Sequence, residues 1–209
     1  MLSQLTDVKK PPAESNSSSE SNLWSPPKQL LRKTSTYEVR KYSDLSVIEA
    51  PMGSKEGGGG SSSSVTGPGA RSAFRALASF IGREKISMTT PVLSDAKAMR
   101  FVLSPGEAEE RARAAAAVEG SDDSAVAVSK VKGGLYAVAS FGGIATDAAS
   151  AAAAEKLKKD LAADGVKIAD ENTSSFLLAQ YNGPVTLPPF RLNEVLVPLD
   201  EEAFDLWRV

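Results

Sequence analysis

The hydrophobic pattern of this chain changes period in the same order twice. In the first pass, Tyr37-Glu38-Val39-Arg40-Lys41-Tyr42 alternates apolar and charged residues with period two, the mark of a half-buried strand. Residues 45–50 continue as a second strand that Pro51 closes. From residue 70 to 82 the period becomes helical: Phe74, Leu77, Ala78 and Ile81 fall at i, i+3, i+4 and i+7, and Gly82 is a terminating residue. Residues 86–92 and 99–103 are two further short strands. The second pass begins with strands at 125–131 and 135–141 around a Gly133-Gly134 turn that suits a hairpin. A helix then runs from an Asp147 N-cap to about Asp164, with Leu157 and Leu161 on one face and Gly165 following. Strands at 176–181 and 194–199 close the set. The order β-β-α-β-β, read twice, predicts α+β architecture with an eight-stranded antiparallel sheet able to curl into a barrel.

Two stretches stand outside this pattern. Residues 1–33 are rich in Ser, Pro, Glu and Lys without a period and read as a disordered or loosely attached tail. Trp24 is its one large aromatic residue, expected to dock on the surface of its own domain. Residues 53–69 contain four Gly followed by four Ser and read as a flexible insert that enlarges a loop. Without both, roughly 160 residues remain, a size for one domain within 34–209. Residues 107–120, rich in Ala, Glu and Arg, are either a solvated insertion or an extra helix.

Composition narrows the chemistry. The 209 residues carry 24 Lys and Arg against 26 Asp and Glu, a formal charge of -2. That supplies no field for nucleic acid or an anionic membrane. There is no Cys, hence no disulfide, thiolate nucleophile or Cys-ligated metal, and no His, hence no imidazole base or His-ligated iron. Glu38, Asp44, Glu49, Lys85 and Glu194 are available as acid/base groups, but no pair has a spacing that argues for catalysis. No stretch reaches the roughly 18 apolar residues of a membrane-spanning helix. The first residues hold no secretory h-region and include Asp7, Glu14 and Glu20. The expectation is a soluble intracellular monomer that is not an enzyme, with cytoplasm or plastid left open.

Tyr37 to Tyr42, Ile86-Ser87-Met88-Thr89-Thr90-Pro91-Val92 and Arg191-Leu192-Asn193-Glu194-Val195 occur in this order, with Phe141-Gly142-Gly143 and Ala179-Gln180-Tyr181-Asn182-Gly183-Pro184 between the last two. Together these five segments resemble the SOUL haem-binding protein family over roughly residues 37 to 199. The resemblance implies a duplicated ββαββ unit forming a distorted β-barrel flanked by two helices. It also implies reversible binding of haem or related tetrapyrroles without a catalytic step.

A tetrapyrrole offers a broad apolar plane and two carboxylates, so its site needs an apolar wall and cations at the mouth. The first predicted helix offers both: Phe74, Leu77, Ala78 and Ile81 as the stripe, Arg71 one turn before Phe74, and Arg75 on its border. A guanidinium holds a carboxylate through two parallel hydrogen bonds. The same stripe also fits simple packing on the sheet, with the arginines solvated. In the family the equivalent of Arg71 is implicated in holding the pigment. The second candidate wall is residues 184–191, where Phe190 can stack and Arg191 can pair either with a ligand carboxylate or with Glu194. Relatives place a Lys in this loop; here Thr186 or Leu187 stands near its position. The His that some relatives use on iron is also missing, and Met88 reads as a core filler ahead of a ligand. The leading reading is a haem or tetrapyrrole carrier or buffer without His ligation. Its rivals are an interaction scaffold that has lost pigment binding and an enzyme on a small planar substrate.

Overall fold

The computed structural model describes residues 23–52, 67–108, 110, 126–169, 176–183 and 185–202. Residues 1–22, residues 53–66 of the Gly/Ser stretch and most of 107–120 lie outside the described residues. Nine strands are β1 (Lys28–Lys33), β2 (Glu38–Tyr42), β3 (Leu45–Pro51), β4 (Val92–Ser94), β5 (Ala98–Val102), β6 (Ala127–Val131), β7 (Gly134–Gly142), β8 (Leu177–Gln180) and β9 (Leu192–Pro198). Two long helices are α1 (Pro68–Glu84) and α2 (Asp147–Ala163). The strands form one antiparallel sheet in the order β1-β2-β7-β9-β8-β4-β5-β3-β6, curled into a half-barrel.

The α+β class is as expected, but the described residues hold nine strands where the periodicity gives eight, and the strand expected at 86–92 forms only from Val92 onward, as β4. The additional strand is β1, in the stretch read as tail. It pairs with β2 alone, carries a bulge between Leu30 and Arg32, and is mostly exposed. A charged edge strand has no buried face to impose a period, and its charges block pairing with other chains. Trp24, just before it, packs against the sheet, and its carbonyl accepts a hydrogen bond from the Thr90 N–H at 3.0 Å.

The expected hairpin at Gly133-Gly134 does not form. β7 pairs with β2 and β6 pairs with β3. The register runs from Glu38↔Val138 to Tyr42↔Gly134 and resumes, with no change of offset, from Leu45↔Val131 to Glu49↔Ala127. β2–β3 and β6–β7 are therefore two long bent strands paired with each other, broken where their connections pass. At that passage the Gly133 N–H donates to Asp44 Oδ1 at 2.7 Å. A Cβ on Gly133 would lie 2.5 Å from the Tyr42 carbonyl oxygen, which is why the position is glycine.

Both helices lie on one face of the sheet. α1 starts at Pro68, whose missing N–H costs nothing in the first turn, and runs through Gly82 to stop at Lys85, which takes the left-handed conformation (φ 54°). It buries Ala70, Ala73 and Leu77 against Ile48, Met99 and Phe101. α2 is capped by Thr146, not Asp147: the Thr146 hydroxyl accepts from the Ala149 N–H at 3.1 Å. It buries Leu157 and Leu161 against Val39, Ala137, Val195 and Val197. On the opposite, inner face no helix packs among the described residues, yet Val47, Leu93, Val102, Val138, Ala179 and Leu196 are all buried. Side chains at that face leave water because the sheet curls over itself and Trp24 packs on it.

Candidate functional site

The helical stripe divides in two. Leu77 is 0% exposed and belongs to the core, and Ile81 packs on the same cluster. The reason is rotation of the helix, whose buried line is Ala70, Ala73 and Leu77. Phe74 lies on the flank, 37% exposed, with its ring edge-to-face on Phe101 at 5.6 Å between centroids. Arg71, Phe74, Arg75 and Ala78 form the edge of α1 that faces away from the core; both arginines are exposed and Ala78 is half-buried.

The loop after β8 supplies a second apolar surface. Val185, Leu187, Phe190 (73%) and Leu192 are exposed, as is Ile144 beyond β7, whose Gly142 pairs with Leu192. A short 3-10 turn, Pro188–Phe190, stiffens the loop. Arg191 does not pair with Glu194; its Nε donates to the Thr186 carbonyl at 2.8 Å and ties the loop to itself. The loop leaves the sheet from β8, two strands from β5, on which α1 packs. Phe101, under Phe74, pairs with Val92, and Val92 pairs with Gln180, the last residue of β8. These three share the helix side of the sheet. Two strand spacings, roughly 10 Å, separate the row's ends.

A charged cluster that the alternation placed on a solvated face lies buried on the inner face. Arg40 (6% exposed) and Glu194 (3%) are joined by two parallel hydrogen bonds of 2.9 Å each. Arg40 Nε also donates to Glu38 at 2.8 Å, and Arg40 Nη1 to the Tyr42 hydroxyl at 3.3 Å. Tyr181 donates to Glu194 at 2.6 Å and Ser140 at 3.4 Å. Burial by itself lowers a guanidinium pKa, but the bonds to Glu194 and Tyr42 outweigh it and raise that of Arg40. Burial first, then Glu194, pushes the Tyr181 phenol well up. Arg40 is thus shared between two carboxylates, the buried Glu194 and the less buried Glu38, which Lys33 also meets at 3.1 Å. The signal available in the sequence was the shared parity of Glu38, Arg40 and Tyr42, which places all three on one face whichever way it points.

The sequence model of SOUL heme-binding proteins matches residues 24–198. This chain belongs to that family. The match begins at Trp24, so the family unit includes β1. No curated protein matches the sequence. Among solved structures, a protein described as a hydrolase from Listeria innocua is 14% identical, with 79% of this chain and 92% of that one covered and a TM-score of 0.49. An uncharacterized conserved protein from Listeria innocua is 13% identical over the same shares, with a TM-score of 0.48. The EcmrR C-terminal domain is 11% identical, with 78% and 98% covered and a TM-score of 0.45. Among the described residues, no helix is long and apolar enough to cross a membrane.

Proposed function

We propose that this SOUL family member binds haem or a related tetrapyrrole reversibly, as a carrier or buffer and not as an enzyme. The ligand would lie between the exposed edge of α1 and the loop 185–192. Family membership supplies the ligand class. The observation that carries the site is the exposure of Phe74 on a helix edge that bears two guanidinium groups, and of Val185, Leu187 and Phe190 in a loop that leaves the sheet two strands away. Large apolar side chains gathered at one rim are a costly surface for water and a good one for a planar ring. The ring would lie on Phe74 and Phe190, and Arg71 and Arg75 would hold its carboxylates. Arg191, already bound to Thr186, shapes the loop instead. With no His or Cys in the chain, the grip comes from ring faces and carboxylates.

We also read the chain as a duplicated ββαββ unit. In support, exchanging β2–β5 for β6–β9 turns the order β2-β7-β9-β8-β4-β5-β3-β6 into its own reverse. The long β2–β3 and β6–β7 ribbon, with its single unbroken register, is the contact such halves would share.

The test of the site is Arg71→Ala, titrated with protoporphyrin and with its dimethyl ester. A charge-assisted hydrogen bond is worth about 1.5–3 kcal/mol, so protoporphyrin affinity should fall roughly ten- to a hundredfold. The ester should bind both proteins alike, and the unfolding midpoint should barely move, since Arg71 is exposed. Unchanged binding of both pigments would place the site elsewhere. Absence of saturable binding to the unaltered protein would favour the interaction scaffold.

A further inference from the structure

The inner face, which the tetrapyrrole reading leaves unused, contains an open cleft of about 520 Å³ counted with its mouth. Its walls are the rings of Tyr42, Tyr136 and Tyr181 with Leu93, Leu196 and Pro91. Tyr42 and Tyr136 meet edge-to-face, centroids 5.9 Å apart and planes at 79°, which fixes the walls of a slot. Behind Tyr42 and Tyr181 sits the Arg40–Glu194 pair, so the carboxylate of Glu194 is already matched and offers nothing to a cation. Lys28 and Lys132 also line the cleft, and among the described residues neither has an ion-pair partner.

We propose that this cleft is a second ligand site, separate from α1, that takes a small aromatic or fused-ring carboxylate, its ring between the tyrosines and its anion at Lys28 and Lys132. An aromatic body matches walls made of rings, and a negative group matches a rim whose only charged lining residues, among the described residues, are these two lysines. Partial desolvation, then Arg40, hold the Lys28 ammonium below the ordinary lysine value. A carboxylate beside it would relieve that cost. Trp24 and Ser25-Pro26 cross this side of the sheet, so the ligand would enter beside the segment that leads into β1.

The experiment follows methyl resonances of Leu93, Ala179 and Leu196 while 2-naphthoate is added to the full chain. Saturable shifts are expected there, with affinity reduced about five- to tenfold in the Lys28→Gln/Lys132→Gln double variant, whose changes lie on the surface. Arg71→Ala should bind 2-naphthoate as the unaltered protein does, which keeps this site distinct from the tetrapyrrole surface. Ala179→Leu, which narrows the cleft, should weaken binding further; if it unfolds the chain, the lysine variant still decides. The proposal is overturned by any of three results. These are no saturable shift or shifts centred on residues 71–81 or 185–192, undiminished affinity in the double lysine variant, or tighter binding of 2-naphthylmethylamine than of 2-naphthoate.

Discussion

Arg40 faces away from the helices in a strand whose alternation marks it as solvent-directed, and it is nevertheless buried. Period two assigns a residue to one of two faces but cannot tell that the second face is the inside of a curl. The consequence is a buried ion pair whose disruption is expensive. Glu194→Gln keeps the shape and removes the charge opposite Arg40; Glu38 remains at 2.7 Å, so the cost should be about 3 kcal/mol in a urea melt. Leu77→Ala should cost about 2–5 kcal/mol through the cavity it leaves and should leave pigment affinity unchanged, which separates the core half of the α1 stripe from its exposed edge. Acid stability has a local contributor in Asp95. Desolvation pushes its pKa up, but the backbone N–H groups of Ala98 and Lys97 and the Arg100 side chain outweigh it and hold it below the ordinary value. A group depressed on folding stabilises above its unfolded pKa, about 3.9, and loses that contribution as pH falls through the folded value. The stability gap between the unaltered protein and Asp95→Asn, followed by denaturation at several pH values, should therefore be full at pH 6 and shrink below about pH 4.

Elements were legible where a buried face imposed a period. α1 and α2, the long strands and the two-pass order could be read because Leu77, Leu157 and Leu161 had to repeat at helical spacing. β1 could not be read, since nothing in Lys28–Lys33 is buried enough to repeat. The Gly133-Gly134 turn was misleading for a different reason. Two glycines suit a hairpin, but here the first of them allows two chain connections to cross at van der Waals distance. Gly133→Ala should accordingly be severe, since backbone on both sides of the added methyl blocks relief; loss of the cooperative melt or a drop of more than about 3 kcal/mol is expected. Truncation tests the edge. Deleting residues 1–33 removes β1 and the Trp24 contact and should lower the thermal midpoint by roughly 10 °C. Deleting residues 1–22, a Ser- and Pro-rich stretch with few apolar groups to bury, should leave it unchanged.

At the scale of the whole molecule, a single curled sheet presents two surfaces with different chemistry. The helix side exposes apolar side chains beside guanidinium groups at α1 and the loop after β8; the inner side encloses a neutralised charged pair under a cleft. The first surface was partly visible in the sequence, because Arg71 and Phe74 are close along one helix. The second was not, because it gathers β2, β4, β7, β8 and β9 from distant parts of the chain, and only the strand order brings them together. On the first surface the proposed tetrapyrrole would be held by its ring and carboxylates, without a His on iron. Parallel titration of the full chain with haem and with metal-free protoporphyrin tests it most directly. Saturable one-to-one binding of both, with affinities within about tenfold (1.4 kcal/mol), is the predicted result. A preference for haem of a hundredfold or more, with a sharp six-coordinate low-spin spectrum, or no saturable binding of either pigment, would contradict it.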